Sequence, residues 1–313
     1  MRVVSAAEVH QTLDFPALID ALAAMFKAGA EVPLRHHHAI DVPGAPRATL
    51  LLMPAWQHGT ALGIKIVSVF PGNAAKSLPA VMGQYLLLDA ASGAPKSLLD
   101  GTALTLRRTA AASALASRFL SRADAAHLLM VGTGALAPQL IAAHCTVRPI
   151  RRVSIWGRNA GHAYATAAKI ALPGVSVSAV PSLENAVAEA DIISCATLAS
   201  EPLVHGAWLR AGQHLDLVGG FTPAMREADD EAVRRAVVYI DTRGGAMKEA
   251  GDIVQPLASG ALKAEAIQGD LFDLCRGTAP GRDDPGAITL FKSVGTALED
   301  LAAARLVAER LGA

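Results

Sequence analysis

The chain has 313 residues, with 28 Lys+Arg against 28 Asp+Glu and so no net charge. A hydrophobic share of 52% supplies a large core and excludes disorder as the main state. With no basic excess to neutralise phosphates, no nucleic-acid partner is expected, and about 150 residues per domain gives roughly two domains. Zero net charge also leaves a monomer weakly protected against self-association. Cys145, Cys195 and Cys275 stand far apart, which fits a reducing cytoplasm and not a disulfide framework. The N-terminal residues, with Glu8 and Asp14 inside the apolar pattern, lack a signal-like segment. The most apolar stretch, Ala125 to Ala143, contains Gly132, Gly134 and Pro138. It therefore predicts a strand, a turn and a helix, and no membrane span is expected.

In chain order, residues 5–30 repeat Val9, Leu13, Leu18, Leu22, Met25 and Phe26 at three- and four-residue steps, predicting an amphipathic helix. Ala48–Met53, Ala61–Val69 and Gln84–Asp89 are short apolar runs separated by Pro and Gly turns, which predict antiparallel strands. Thr102 to Leu120 is rich in Ala and Leu and predicts a connecting helix. Next come His127–Val131, Val153–Trp156, Val175–Ala179, Ile192–Ala196, His214–Val218 and Val237–Ile240, with helical patterns between most of them. Strands alternating with helices predict a parallel sheet buried on both faces. Gly295 to Leu311 predicts a last helix. The expected division is 1–118, completed by a C-terminal helix at 295–313, and 119–294.

The segment His-Leu-Leu-Met-Val-Gly132-Thr-Gly134-Ala135-Leu136-Ala137 places Gly-x-Gly-x-x-Ala between a strand and a helix. The first glycine permits the tight turn and the second lets backbone N–H groups approach a pyrophosphate. The third, small residue lets helix and strand pack closely. The fold class is therefore α/β, a Rossmann-type doubly wound parallel sheet plus a second, mixed α+β domain. Strand two ends Ile155-Trp156-Gly157-Arg158-Asn159, without the Asp or Glu that accepts hydrogen bonds from an NAD ribose. Arg158 stands where a 2′-phosphate would sit, so NADP(H) is preferred, with NAD(H) possible.

Several segments together resemble the ornithine cyclodeaminase/mu-crystallin family. They are Leu50-Leu-Leu-Met53-Pro54, Gly63-Ile-Lys65-Ile-Val, Leu99-Asp100-Gly101-Thr102-Ala-Leu-Thr105, Arg108-Thr109-Ala-Ala-Ala-Ser113, Gly132-Thr-Gly134-Ala135, Gly212-Gln-His214-Leu-Asp216-Leu-Val218-Gly219 and Ser293-Val294-Gly295-Thr-Ala-Leu-Glu299-Asp300. The resemblance implies an NAD(P)-dependent enzyme acting on amino or imino acids, a homodimer, and a substrate and dimerisation domain built from both chain ends. It implies that Arg35 and Lys65 hold the substrate carboxylate and that Val294 lies at the substrate. For the cofactor it implies Arg108, Gly132, Gly134, Ala135, Leu136, Arg158, Thr197, Asp216, Val218, Gly219 and Ser293. The chemistry agrees, since an imino acid needs a cation for its carboxylate and a proton donor near its nitrogen. Arg35 suits the first role, and Lys65 suits both if burial lowers its pKa. Arg107 is the alternative to Arg108 as the buried arginine.

The departures from the family pattern narrow the reaction. Phe221 occupies the place of the aspartate that acts as acid/base in the cyclodeaminases, and Met225 that of a lysine. Ala80 and Leu136 replace polar cofactor contacts, and Gly157 replaces the NAD-selecting carboxylate. Asp216 offers a nearby carboxylate where the family usually has Asn. The expected activity is reduction of a small cyclic 2-imino acid, such as Δ1-pyrroline-2-carboxylate or Δ1-piperideine-2-carboxylate. The alternatives are an ornithine cyclodeaminase, an amino acid dehydrogenase, or a non-catalytic NADPH-binding protein. No metal site is expected. His36-His37-His38 on a strand would alternate faces, so a loop rim is their expected setting. His214 reads either as a structural histidine or as a neighbour of the cofactor.

Overall fold

The computed structural model describes residues 1–312, and for Ala74 the backbone. The chain forms two compact units, Met1–Thr109 with Thr296–Ala313, and Ala110–Gly295.

The first unit is built on a six-stranded sheet of β1 (Arg2–Val4), β2 (His36–Ile40), β3 (Ala48–Gln57), β4 (Ala61–Val69), β5 (Val81–Leu88) and β6 (Pro95–Asp100). Its order is β1-β6-β5-β4-β3-β2; β1 and β6 run parallel and the other neighbours antiparallel. Helices α1 (Ala6–Thr12), α2 (Phe15–Ala28) and the C-terminal helix (Ala297–Leu311, labelled α11) belong to the same unit. The inward side chains of β4, Ala61, Gly63 and Lys65, alternate with Leu62, Ile64 and Ile66 on the other face. The predicted helix over 5–30 is two helices. The Asp14 carboxylate accepts from Ala17 N–H at 2.9 Å and caps α2, with Pro16 in its first turn. Leu13 lies in the break yet is fully buried, so the apolar rhythm runs on across it. The three histidines lie on the edge strand β2 and not in a loop; they pair with Leu52, Leu51 and Leu50, and all are exposed.

Helix α3 (Gly101–Leu120) carries the chain from the first unit into the second. The second unit contains, in order, β7 (His127–Val131), α4 (Leu136–Val147), β8 (Arg152–Trp156), α5 (Ala160–Lys169), β9 (Ser176–Ala179), α6 (Leu183–Glu189) and β10 (Ile192–Cys195). It continues with β11 (His214–Leu217), α7 (Asp230–Arg235), β12 (Ala236–Ile240), α8 (Arg243–Glu249), α9 (Gly251–Ser259), β13 (Ile267–Asp270), α10 (Leu271–Arg276) and β14 (Ile288–Lys292). The sheet order is β13-β12-β14-β11-β10-β7-β8-β9, and every neighbouring pair is parallel. The first strand, β7, thus lies between β8 and β10, and the chain reverses its direction of travel across the sheet there. Such a switch point opens a crevice outside the carboxyl ends of the strands. Leu129, Val131, Ile193, Leu215, Leu217 and Leu290 are completely buried, as a sheet covered on both faces requires.

Candidate active site

In the first unit, Lys65 points inward from the middle of β4, opposite Met53 and Tyr85 on the neighbouring strands. Only 3% of it is exposed. Its Nζ lies 2.7 Å from Asp300 Oδ2 and donates to Thr105 Oγ1 at 3.5 Å. Arg108, on α3, donates from Nε to Asp300 Oδ1 at 2.9 Å and from Nη1 to Glu299 Oε2 at 2.7 Å. Two cations and two carboxylates are therefore buried side by side, with both acids coming from the first turn of α11. An isolated charge this deep would cost several kcal/mol, so each group depends on its partners.

Burial depresses the Lys65 pKa to about 8, and the charges of Arg108 and Arg35 add to the depression while Asp300 opposes it. Arg35, half-buried just before β2, is thus close enough for its field to reach the Lys65 ammonium. Burial would raise the Asp300 pKa, but Lys65 and Arg108 outweigh it and hold the carboxyl below its usual range. The structure accordingly gathers Arg35, Lys65 and Arg108 into one electrostatic neighbourhood. It also separates the two adjacent arginines. Arg107 lies over the Phe15 ring, 3.7 Å from its centroid, and donates to the Leu13 carbonyl, so Arg108 is the one buried with the acids.

In the second unit, the glycine turn joins β7 to α4. Gly132 has φ +121°, and a Cβ there would lie 2.6 Å from the Ala196 carbonyl oxygen. The turn after β7 therefore touches the turn after β10. At Gly134 a Cβ would meet no atom within 4 Å, so space is open over that peptide. Ala135 precedes α4 without a side-chain cap; Ala137 N–H bonds the Gly134 carbonyl at 3.0 Å and Pro138 has no N–H, so an outside acceptor would meet the turn at Gly134–Leu136. This is the arrangement a pyrophosphate needs, and a dinucleotide fits it: Gly132, Gly134, Ala135 and Leu136 would hold the phosphates. After β8, a Gly157 Cβ would lie 2.7 Å from Thr133 Cγ2, so the second strand's turn lies against the glycine turn. The exposed Arg158 follows it, and Asn159 caps α5.

The turns after β10 and β11 are in backbone contact. A Cβ on Gly219 would lie 2.0 Å from the Thr197 oxygen, so only glycine fits there. Ser293 N–H donates to the Leu217 carbonyl at 3.2 Å, which brings the end of β14 to the same edge as Val218 and Gly219. Val294 follows it, its N–H held by Asp241 Oδ2 at 2.7 Å. Phe221 and Leu198 stand on these turns, 50% and 73% exposed.

Asp216 is placed differently. Its carboxylate is fully buried, accepting from Ser194 Oγ at 2.7 Å and sharing a hydrogen bond with His144 Nε2, on α4, at 3.3 Å. Those partners commit it to the interior of the sheet, not to the carboxyl edge where the turns meet. His214 begins β11 and so lies at the opposite end of the strand from that edge. Its Nδ1 meets Thr289 Oγ1 at 3.0 Å, and burial lowers its pKa to about 3. Cys195 is a core residue. The sequence reading assigns no role to Glu299 and Asp300, nor to Glu227, Asp241, Asp252 and Lys292. The available signal is an acid or a lysine inside an otherwise apolar helix or strand.

A parallel sheet with a glycine turn at its switch point, joined to a unit built on a mixed sheet, defines a Rossmann-type nucleotide-binding protein with a second α+β unit. Comparison with known proteins agrees. The ornithine cyclodeaminase/mu-crystallin family model matches residues 1–313, and the chain belongs to that family. A Delta(1)-pyrroline-2-carboxylate reductase of Colwellia psychrerythraea is 39% identical, aligned over 99% of each chain. The structure of Thermococcus litoralis Delta(1)-pyrroline-2-carboxylate reductase in complex with NADH and L-proline is similar at a TM-score of 0.91 and 34% identity, covering 99% of this chain and 97% of that one. An archaeal alanine dehydrogenase dimer with bound NAD is similar at a TM-score of 0.89 and 26% identity, covering 99% and 95%.

Proposed function

We propose that the chain is an NAD(P)H-dependent reductase of small cyclic 2-imino acids, with Δ1-pyrroline-2-carboxylate and Δ1-piperideine-2-carboxylate as its substrates. The observation that carries this reading is the buried Lys65 ammonium, with Arg108 and Arg35 in its field. Such a cluster recognises an organic carboxylate. Asp300 and Thr105 engage two of the three N–H donors of Lys65. The third suits a substrate carboxylate oxygen, and Arg35 supplies a planar fork for the same group. A bound reduced nicotinamide supplies the hydride that converts the C=N carbon to CH. The nitrogen takes up one proton to give the cyclic amino acid, and Lys65, acidic near pH 8, is the chain's candidate donor. At Phe221 the chain has no group able to move a proton, which favours imine reduction over ammonia release. NAD(P)H oxidation with either imino acid, followed at 340 nm, tests the reading; no oxidation across cyclic and linear imino acids would refute it.

Arg158 supports NADP(H) as the preferred cofactor, because it stands exposed at the end of β8 where no carboxylate opposes a 2′-phosphate. Arg158→Ala is expected to weaken NADPH binding by about tenfold or more, the worth of a charge-assisted contact, with little change for NADH. Equal losses for both nucleotides, in a fluorescence titration, would remove the preference.

In this reading the unit of Met1–Thr109 and Thr296–Ala313 binds substrate and dimerises, and the other unit binds the nucleotide. One face of the six-stranded sheet carries Leu52, Ile64, Ile66, Leu86 and Leu98 in register across four strands, half-buried or exposed. A contiguous apolar face of this kind calls for cover, and a second copy of the chain supplies it. Ile66→Lys is expected to halve the mass measured by light scattering, to the roughly 32 kDa of one chain. Cys145, Cys195 and Cys275 are all free thiols, which fits the cytoplasm. No helix among the described residues is long and apolar enough to cross a membrane.

A further inference from the structure

Four ionisable side chains of the second unit, Glu227, Asp241, Asp252 and Lys292, are 0% exposed and have no part in the chemistry above. Their bonds run to the turns at the carboxyl edge of the sheet. Glu227 Oε1 accepts from both the N–H and the hydroxyl of Thr197, at 2.7 and 2.8 Å. Its Oε2 accepts from Gly219 N–H at 2.7 Å. Asp252 Oδ1 accepts from the backbone N–H groups of Glu227 and Ala228, at 2.7 and 3.2 Å. Asp252 Oδ2 faces Lys292 Nζ at 3.1 Å, and Lys292 immediately precedes Ser293. Asp241 Oδ2 in turn accepts from Val294 and Gly295 N–H, each at 2.7 Å.

Packing alone does not explain this set. Buried charges contribute little net stability, and apolar side chains of similar volume hold a core as well or better. What the carboxylates do supply is fixed geometry for peptide groups that have left the strand ladders. The close approach of Gly219 to Thr197 lets one carboxylate reach both turns. All three of its partners are donors, so an acceptor on each oxygen is required. Burial pushes the Glu227 pKa up, while Lys292 and the Thr197 donors oppose that rise.

Building on the nucleotide reading above, we propose that Glu227 is a positioning residue of the cofactor edge, clasping the turns after β10 and β11. The Asp252–Lys292 pair ties that clasp to the strand end that carries Ser293. Glu227 acts through Thr197 and Gly219, so its loss is felt in nucleotide binding and hydride transfer and not in recognition of the substrate carboxylate.

The test is Glu227→Gln in the full chain, which keeps the volume but sets an N–H against one of the three donors. NADPH and NADH affinities are measured by fluorescence titration, beside the imine KM at saturating nucleotide. The expected result is a loss of nucleotide affinity of about tenfold or more and a lower kcat, with the imine KM within about twofold of wild type. Wild-type affinity in Glu227→Gln, or an imine KM that rises as much as the nucleotide Kd, overturns the clasp. A wild-type chain that binds neither nucleotide overturns the underlying reading together with the clasp, whereas an unaffected variant of a binding wild type overturns the clasp alone. Should Glu227→Gln not fold, Thr197→Val and Thr197→Ser decide. Valine loses the hydroxyl bond to Glu227 and should weaken the nucleotide roughly fivefold, while serine retains it and restores the affinity. Equal affinities for the two variants overturn the clasp.

Discussion

Lys65→Met lowers kcat/KM for the cyclic imino acid by about two to three orders of magnitude, the equivalent of roughly 3–4 kcal/mol for losing one partner of a buried charge contact to the substrate. The NADPH dissociation constant stays within about twofold, because the variant removes a group assigned to the carboxylate and not to the nucleotide. The variant also leaves Asp300 with Arg108 as its remaining ion-pair partner, so some loss of thermal stability accompanies the kinetic effect. A pH profile gives the same residue a second reading. Burial, reinforced by Arg108 and Arg35, holds the Lys65 pKa at about 8. Both of its roles, carboxylate anchor and proton donor, need the protonated form. In the wild type, log kcat/KM therefore falls as pH rises through about 8, since this quantity reports the free enzyme. A limb that persists unchanged in Lys65→Met would assign the titration to another group.

Gly134→Ala weakens nucleotide binding without disturbing the fold. The added Cβ meets no protein atom within 4 Å, and Gly134 is not among the glycines with positive φ, so neither clash nor backbone strain opposes alanine. In the proposed binding mode the methyl occupies the space through which a pyrophosphate reaches the backbone N–H groups. NADPH affinity should drop by about tenfold to a hundredfold while Tm moves by no more than about 2 °C. Gly219→Ala is the contrasting variant, because its Cβ would lie 2.0 Å from a backbone oxygen. That overlap is with main chain, so its expected signature is a lowered Tm as well as lost binding. If Gly134→Ala bound NADPH normally, the phosphates would have to lie elsewhere.

Six of the eight strands of the parallel sheet were legible in the sequence; β13 (Ile267–Asp270) and β14 (Ile288–Lys292) were not predicted. His127–Val131 is a strand within the predicted bounds, and the runs at Val153, Val175, Ile192, His214 and Val237 match theirs within a residue. Strands buried on both faces read as continuous apolar runs, but Thr289 and Lys292 interrupt that run in the buried central strand β14. Ala61–Val69 was equally plain. Edge and short strands were not: β2 is His-His-His-Ala-Ile with every residue exposed or half-buried, so no alternation marks it. The break between α1 and α2 carries its signals, Asp14 followed by Pro16, but the buried Leu13 keeps the helical rhythm intact through it. At the site, Lys65 and Arg35 could be chosen from chemistry and resemblance. The acids that hold Lys65 and Arg108 could not, because Asp300 lies 192 positions beyond Arg108 and sequence spacing carries no trace of that pairing. Asp216 shows the converse, a residue in the right strand whose side chain turns into the interior.

The ion pairs between Arg108 and the first turn of α11 also order events during synthesis. Arg108 leaves the ribosome 192 residues before Asp300. At about 5–20 residues per second that interval is roughly 10–40 seconds. Throughout it, the nascent chain holds Lys65 and Arg108 without the carboxylates that let them be buried. The intervening α/β unit has its whole sequence by then and can close around its own core. The unit built from both chain ends cannot, so the buried cluster of Lys65, Arg108, Glu299 and Asp300 is among the last features of the newborn polypeptide to form.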